Sequence, residues 1–227
     1  MRLIYALILT VIAALPARAE VDIQEVTSPG GITAWLVEEP SIPFVALEIR
    51  FRGGASLDAP GKRGAINLMT GLLEEGAGEM DARAFSRATE ALATNLSFDV
   101  SDDALSVSAR FLTENLAPSI DLLRAALQEP RFDEDAIERV RGQVISNIQS
   151  NQKDPNKIAQ QTFDRIAFGD HPYGSSLNGT LESVAGLTRD DLLAAHRAVL
   201  ARDRIIVGAV GDITPEELGQ MLDKLLG

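Results

Sequence analysis

Hydrophobic and polar residues alternate in five short stretches of the chain, a pattern that predicts β-strands with one buried face. The predicted strands cover residues 21–26, 32–37, 44–51, 96–101 and 104–111. A mostly apolar stretch at 205–210 predicts a further, buried strand. Asp102-Asp103 separates two of the strands and predicts a hairpin turn, which we favour over a metal site at these carboxylates.

Apolar residues recur at helical spacing between and after these strands. Helices are predicted around 65–75, from Asp81 to Ala93, over 115–127, over 133–152, from Asp154-Pro155 onward, over 190–201 and from Thr214 to the end. Asp81, Thr188 and Thr214 are typical N-cap residues for three of them. The mixture predicts an α+β domain with a largely antiparallel sheet covered by helices on one face.

The first residues have the pattern of an export signal. Arg2 precedes an apolar run from Leu3 to Leu15, and Ala17-Arg18-Ala19 is a small-x-small cleavage site. We therefore expect a signal peptide at 1–19, a single domain at 20–227, and a periplasmic or secreted protein. A retained membrane anchor is the alternative, although the run is shorter than the roughly 20 residues that a span needs.

Composition limits the possible chemistry and partners. Hydrophobic residues make up 45% of 227 residues, which is enough for a sizeable core. The net charge is −12, and losing Arg2 and Arg18 with the signal takes it to −14. Such a charge argues against nucleic acid or an anionic membrane as a partner of the mature chain. The absence of cysteine excludes disulfides, thiol catalysis and cysteine-bound metals.

Two histidines, His171 and His196, give little material for a catalytic or metal site. They cannot form a three-histidine zinc site. Their number allows a mixed histidine and carboxylate site, but their spacing is not helical. We expect both to be loop or surface residues. A Ser-His-Asp triad would need one of them, and no G-x-S-x-G elbow is present. Adjacent Glu74 and Glu75 are expected to be solvated.

The pair of strands between residues 96 and 111 is a candidate site for an extended peptide. Such a peptide could pair with an exposed strand by edge addition. Because the sequence does not reveal which strand lies at an edge, we expect an ordinary interior pair here.

Several landmarks occur in an order that resembles the insulinase/pitrilysin-type metallopeptidases, including the mitochondrial processing peptidases. The resemblance extends over about residues 21–227. The landmarks are Arg52-Gly53-Gly54-Ala55-Ser56, then Pro60-Gly61-Lys62-Arg63-Gly64, Glu75-Gly76, the hairpin at 96–111, His171-Pro172-Tyr173-Gly174, and Val207-Gly208-Ala209-Val210-Gly211-Asp212. The resemblance implies a domain of the processing-peptidase type, with its zinc helix after Gly64.

The residues at the family's zinc positions differ from the family pattern. The family motif H-x-x-E-H supplies two ligands and a general base from one helix, but Asn67, Thr70 and Gly71 stand at these positions. The third family ligand is a glutamate on a later helix, where this chain has Asn147. Neutral amides hold zinc poorly without charged or imidazole partners. The resemblance therefore implies a degenerate, non-catalytic member without metal or other cofactor.

The resemblance also implies how such a domain is used. Family enzymes are built from pairs of homologous domains that enclose a chamber, and in heterodimeric members a degenerate subunit accompanies a zinc-bearing one. The chain has the length of one such domain. We therefore expect a zinc-bearing homologous subunit or a second homologous domain as its partner, with extended peptides as a further ligand.

Two other hypotheses remain open at this stage. One is a peptide-binding or scaffold module without a peptidase partner. The other is an enzyme with relocated chemistry on carboxylates, lysines or tyrosines, although nothing in the sequence groups these residues into a site.

Overall fold

A six-stranded sheet forms the centre of the computed structural model, which describes residues 21–227; the predicted signal peptide lies outside the described residues. The strands of this sheet lie in the order β1-β2-β8-β3-β7-β6. Strands β2 and β8 are parallel, and every other neighbouring pair is antiparallel. The strands are β1 Gln24–Thr27, β2 Thr33–Glu38, β3 Phe44–Arg52, β4 Gly76–Ala77, β5 Met80–Asp81, β6 Asn95–Val100, β7 Ala104–Leu112 and β8 Ile205–Gly211; β4 and β5 form a separate small hairpin. The prediction of a largely antiparallel sheet is confirmed.

Helices follow the predicted order. They are α1 Ala65–Thr70, α2 Ala82–Ala91, α3 Leu116–Gln128, α4 Glu134–Asn151, α5 Pro155–Phe168, α6 Leu181–Ala185, α7 Arg189–Val199 and α8 Pro215–Leu226. The Asp81 side chain accepts a hydrogen bond from the Ala84 N–H at 2.8 Å, and Thr188 and Thr214 each form a capping box. All three predicted caps are confirmed.

The central strand β3 explains why the sheet has one covered and one open face. Val45, Leu47, Ile49 and Phe51 alternate along it and are buried among apolar side chains of the helices. Each such side chain contributes about 1.5–3 kcal/mol through burial. The intervening Glu48, Arg50 and Arg52 are exposed. The helices therefore cover one face of the sheet, as predicted.

One predicted helix is shorter than expected. The pattern predicted a helix around 65–75, but α1 ends at Thr70. Beyond it, the Leu72 and Leu73 N–H groups donate to carbonyls three residues back, at 3.0 and 3.3 Å, so the chain tightens into 3₁₀-type turns. Gly71, a poor helix former, lies where this change occurs.

Two small elements were not predicted, namely helix α6 and the β4–β5 hairpin. Each is too short for a periodic pattern to stand out. Between Val21 and Gly227, no helix is long and apolar enough to cross a membrane.

Candidate functional site

Helix α1 is held at its start by a buried carboxylate from the preceding loop. Asp58 accepts hydrogen bonds from the N–H groups of Gly64 and Ile66, both at 2.9 Å, and lies 3.6 Å from the Arg63 guanidinium. Burial raises the pKa of Asp58, while these hydrogen bonds and the charge of Arg63 oppose that effect. Gly64 has a φ of +99°, and a Cβ there would lie 2.7 Å from the Asn178 carbonyl oxygen. The start of α1 is thus tightly defined.

Arg63 joins the segments that surround this start. Its guanidinium donates to the Asp102 carboxylate at 2.5 Å and to the carbonyls of Pro172 and Ser175, each at 3.1 Å. It also donates to the Ala55 carbonyl. One side chain therefore connects the loop before α1, the β6–β7 turn and the loop at 171–175. Sequence reasoning placed Asp102 in a turn but did not identify this connection.

A second contact binds the loop at 171–175 to the same turn. The Tyr173 hydroxyl donates to the Asp103 carboxylate at 2.5 Å, and this hydrogen bond raises the pKa of Tyr173. Four landmarks of the family resemblance, at 52–56, 60–64, 96–111 and 171–174, thus meet around the start of α1.

Three of the four predicted zinc positions lie on and just after α1. Asn67 is half-buried, Thr70 is 4% exposed, and Gly71 is exposed. The Thr70 hydroxyl donates to the Ile66 carbonyl one helical turn back, at 2.7 Å. A Cβ on Gly71 would lie 3.1 Å from Cγ1 of Val140 on α4, which is a tight contact.

The fourth position, Asn147, is exposed on α4. Residues 140 and 147 are two helical turns apart, so Asn147 lies on the same side of α4 as Val140. Val140 is the residue that lies against Gly71. The structure therefore puts Asn147 on the side of α4 that faces the end of α1.

These four residues do not fit a zinc ion. Zinc sites in proteins use cysteine, histidine and carboxylate ligands. Here one position has no side chain, the Thr70 hydroxyl is buried and bonded to the backbone, and the other two are neutral amides. Across residues 21–227, no three histidine, aspartate or glutamate side chains are grouped so that they could hold a metal ion.

Carboxylates do gather beyond the end of α1. Glu75 forms an ion pair with Arg139 of α4 at 2.5 Å. Glu74 keeps contact with solvent, but the surrounding protein partly desolvates its carboxyl group. That desolvation, followed by the negative charges of Glu75 and Asp99, raises the pKa of Glu74. Glu74 is thus a surface carboxylate as expected, whereas Glu75 links the end of α1 to α4.

The two histidines have structural contacts. His171 is exposed in its loop, as expected, and its Nδ1 accepts a hydrogen bond from the Tyr173 N–H at 3.3 Å. His196 was also expected in a loop or at the surface, but it lies half-buried in α7. Its Nε2 donates to the Leu127 carbonyl at 2.8 Å, and burial lowers its pKa, which favours the neutral ring.

Strand β6 lies at an edge of the sheet, which corrects the expectation of an interior pair. Among the strands between residues 21 and 227, β6 pairs with β7 alone, and β7 continues inward to β3. Helix α1 packs beside β6. The helix that carries Asn67 and Thr70 therefore lies close to a strand with one edge unpaired among the described strands.

Comparisons with known proteins agree with this architecture. Residues 34–181 match the family model described as "Insulinase (Peptidase family M16)". The chain is 28% identical over 189 residues to the "Non-peptidase homolog YmxG" of Helicobacter pylori, covering 83% of this chain and 44% of that protein.

Solved structures share the fold. The peptidase M16 inactive domain from Pseudomonas fluorescens superposes with a TM-score of 0.86 at 22% identity, covering 91% of this chain and 50% of that one. The periplasmic protease PqqL from Escherichia coli gives a TM-score of 0.77 at 14% identity, covering 92% of this chain and 24% of that one. The chain spans about half the length of the curated relatives it matches. It belongs to the insulinase family of peptidases, family M16.

Proposed function

We propose that this chain is a non-catalytic insulinase-family domain that pairs with a zinc-bearing domain of the same family and helps to enclose or position a peptide substrate. The proposal rests on the side chains that α1 and α4 present at the predicted zinc positions. The Thr70 hydroxyl, at the position of the family's general base, is buried and donates to the Ile66 carbonyl. Asn67, Gly71 and Asn147 offer no charged or imidazole ligand. A zinc-bound water could not be acidified by such a set.

The names of two relatives support the non-catalytic part of the proposal. One is called a non-peptidase homologue and the other an inactive M16 domain. The pairing part is supported by length, because each of these proteins has about as much chain again beyond the region matched here. An exported location for this chain is supported by its predicted signal peptide and by the periplasmic relative PqqL.

The edge strand β6 provides a physical means of positioning a peptide. An extended chain added to β6 would satisfy free backbone groups and would run beside α1. The α1 residues would then form a wall for the peptide, while the cleaving zinc would belong to the partner. In this arrangement the present chain binds and orients the peptide, which its side chains can do, and the partner cleaves it.

The test is reconstitution with a zinc-bearing homologue from the same source that has an intact H-x-x-E-H motif. Each chain is assayed alone and in an equimolar mixture for cleavage of a peptide library. We expect no cleavage by this chain alone, and a rise in kcat/KM of the zinc chain when both are present. A zinc chain whose rate and affinity for peptides are unchanged by this chain would contradict the proposal.

The exposed β6 edge also favours a second candidate, a peptide-binding module without a peptidase partner. Extended peptides would then bind the isolated chain, and methylation of alternate peptide nitrogens would weaken binding because each methyl group removes a ladder donor. Isothermal titration measures both affinities. Peptide binding together with failure to associate with any zinc-bearing homologue would favour this candidate over the first.

A further inference from the structure

Helix α5 turns two large apolar side chains toward solvent. None of its 14 residues is buried, and its main contact with the rest of the protein is the turn at Pro172–Gly174. That contact includes the Phe168 and Tyr173 rings, which meet edge to face with centroids 5.5 Å apart. Phe163 is nevertheless 62% exposed, and Ile166 is 78% exposed.

Most of the α5 side chains that face the protein body are polar, apart from Ile158 and Phe168. Lys157, Asp164 and Arg165 line a cleft of about 790 Å³ between α5, the end of α4 and the loop at 173–180. Helical spacing puts Ala159, Phe163, Ile166 and Ala167 on the opposite side. We call these four residues the outer face of α5; all four are exposed and none carries a charge, and the exposed amide side chains of Asn156 and Gln160 lie beside them. A helix on the surface of a monomeric domain normally turns its large apolar side chains toward the core.

This arrangement is costly unless another surface covers the outer face. Isolated helices shorter than about 12–15 residues are marginal in water, and most helix stability in proteins comes from packing an apolar face. Contiguous exposed apolar residues with an aromatic at their centre are typical of protein interfaces.

We infer that the outer face of α5 docks a second insulinase-family domain; the inference rests on the proposed pairing function and specifies where the pairing occurs. The occupant follows from length and charge. Relatives that share this fold contain about twice this much chain, and PqqL about four times as much, so further domains accompany this one in them. A surface without charge within a chain of net charge −12 fits an apolar protein patch. It does not fit nucleic acid or an anionic membrane, both of which would be attracted by lysine and arginine.

The test measures association with the zinc-bearing homologue that has an intact H-x-x-E-H motif, by analytical ultracentrifugation. The chain from Glu20 onward is compared with the double variant Phe163→Ser/Ile166→Ser. The matched control is Ile23→Ser/Ile42→Ser, which removes two other apolar side chains, 63% and 46% exposed. We expect the α5 variant to raise Kd at least tenfold and the control to change it less than twofold. Because Phe163 and Ile166 are largely exposed in the free chain, both variants should retain the wild-type melting temperature.

Amide hydrogen exchange of residues 155–168 gives a second readout. We expect fast exchange in the free chain and at least tenfold slower exchange in the complex. Wild-type affinity of the α5 variant, or exchange in α5 that the partner does not slow, would overturn the inference while leaving the pairing function intact. Self-association of the chain that the α5 variant abolishes would identify a second copy as the occupant, which also overturns it. Stoichiometric zinc and peptide cleavage by this chain alone would instead contradict the proposed function.

Discussion

At the scale of one residue, Thr70 occupies the predicted position of the family's general base. Its side chain is 4% exposed and its hydroxyl donates to the Ile66 carbonyl. A carboxylate in the same place would have no cationic partner on α1, because the helix carries no charged residue. The packing around position 70 therefore suits a small side chain that bonds to the helix backbone.

Restoring the glutamate should destabilise the fold. We expect Thr70→Glu to lower the free energy of unfolding by roughly 3 kcal/mol at pH 7, since an unpaired carboxylate is buried. Burial raises the pKa of the introduced group, so the penalty should shrink as pH falls below that raised pKa. Thr70→Val, the matched control, should stay within about 1 kcal/mol of wild type. Urea unfolding at pH 4.5 and 7 measures both; a Thr70→Glu variant as stable as wild type would show that the position is open.

Asp58 is a residue whose importance only the structure reveals. Its bonds to Gly64 and Ile66 are local, but Arg63 beside it reaches residues 39, 109 and 112 positions away. No sequence pattern encodes such distances. The family landmarks predicted that the segments exist, whereas their convergence on one guanidinium could not be derived from them.

Because burial raises the pKa of Asp58, its titration should affect stability in a defined direction. A carboxyl whose folded pKa exceeds its unfolded value contributes stability that is fully present below the unfolded pKa and is lost as pH rises through the folded pKa. We expect the NMR-measured pKa to lie above the usual value of about 3.9. Asp58→Asn should remove this decline between pH 3 and 7 and cost roughly 1–2 kcal/mol through lost hydrogen bonds. A measured pKa below the usual value would reverse the sign and contradict the account.

At the scale of elements, the sequence predicted where helices start but did not predict which strands lie at the edges of the sheet. Asp81, Thr188 and Thr214 cap their helices through bonds to residues three positions away, so the signal lies within a few letters of sequence. The edge position of β6 depends on β3, β7 and β8 coming together from distant parts of the chain. Strand alternation alone could not supply that order. The early end of α1 likewise depends on local turns that a hydrophobic pattern does not distinguish.

Arg141 connects α4 to α6 and to the segment that follows α6. It is 9% exposed and donates to the Val184 carbonyl at 2.5 Å and the Leu187 carbonyl at 3.0 Å. Arg141→Met should lower the free energy of unfolding by roughly 2–4 kcal/mol, because two buried carbonyls lose their donor. The matched control is Arg139→Met, two residues away, which removes a more exposed ion pair with Glu75 and should cost less than about 1 kcal/mol. Equal effects in urea unfolding would mean that the buried bonds contribute little.

At the scale of the whole molecule, the domain has the fold of a peptidase and two surfaces that could bind other chains. Among the described strands, β6 has one unpaired edge and lies close to α1, and the outer face of α5 lies on a helix with no buried residue. Fold and family were predictable from ordered landmarks. The exposure of Phe163 and Ile166 on α5 was not, since its sequence is that of an ordinary amphipathic helix and only the structure shows which side faces the body.

The central claim is that this peptidase-fold domain binds no catalytic zinc. The most direct measurement is zinc content by mass spectrometry after incubation with zinc and desalting, combined with a peptide-library cleavage assay on the same sample. We predict far less than one zinc per chain and no cleavage, with or without a chelator. One zinc per chain, together with cleavage that the chelator abolishes and added zinc restores, would contradict the account.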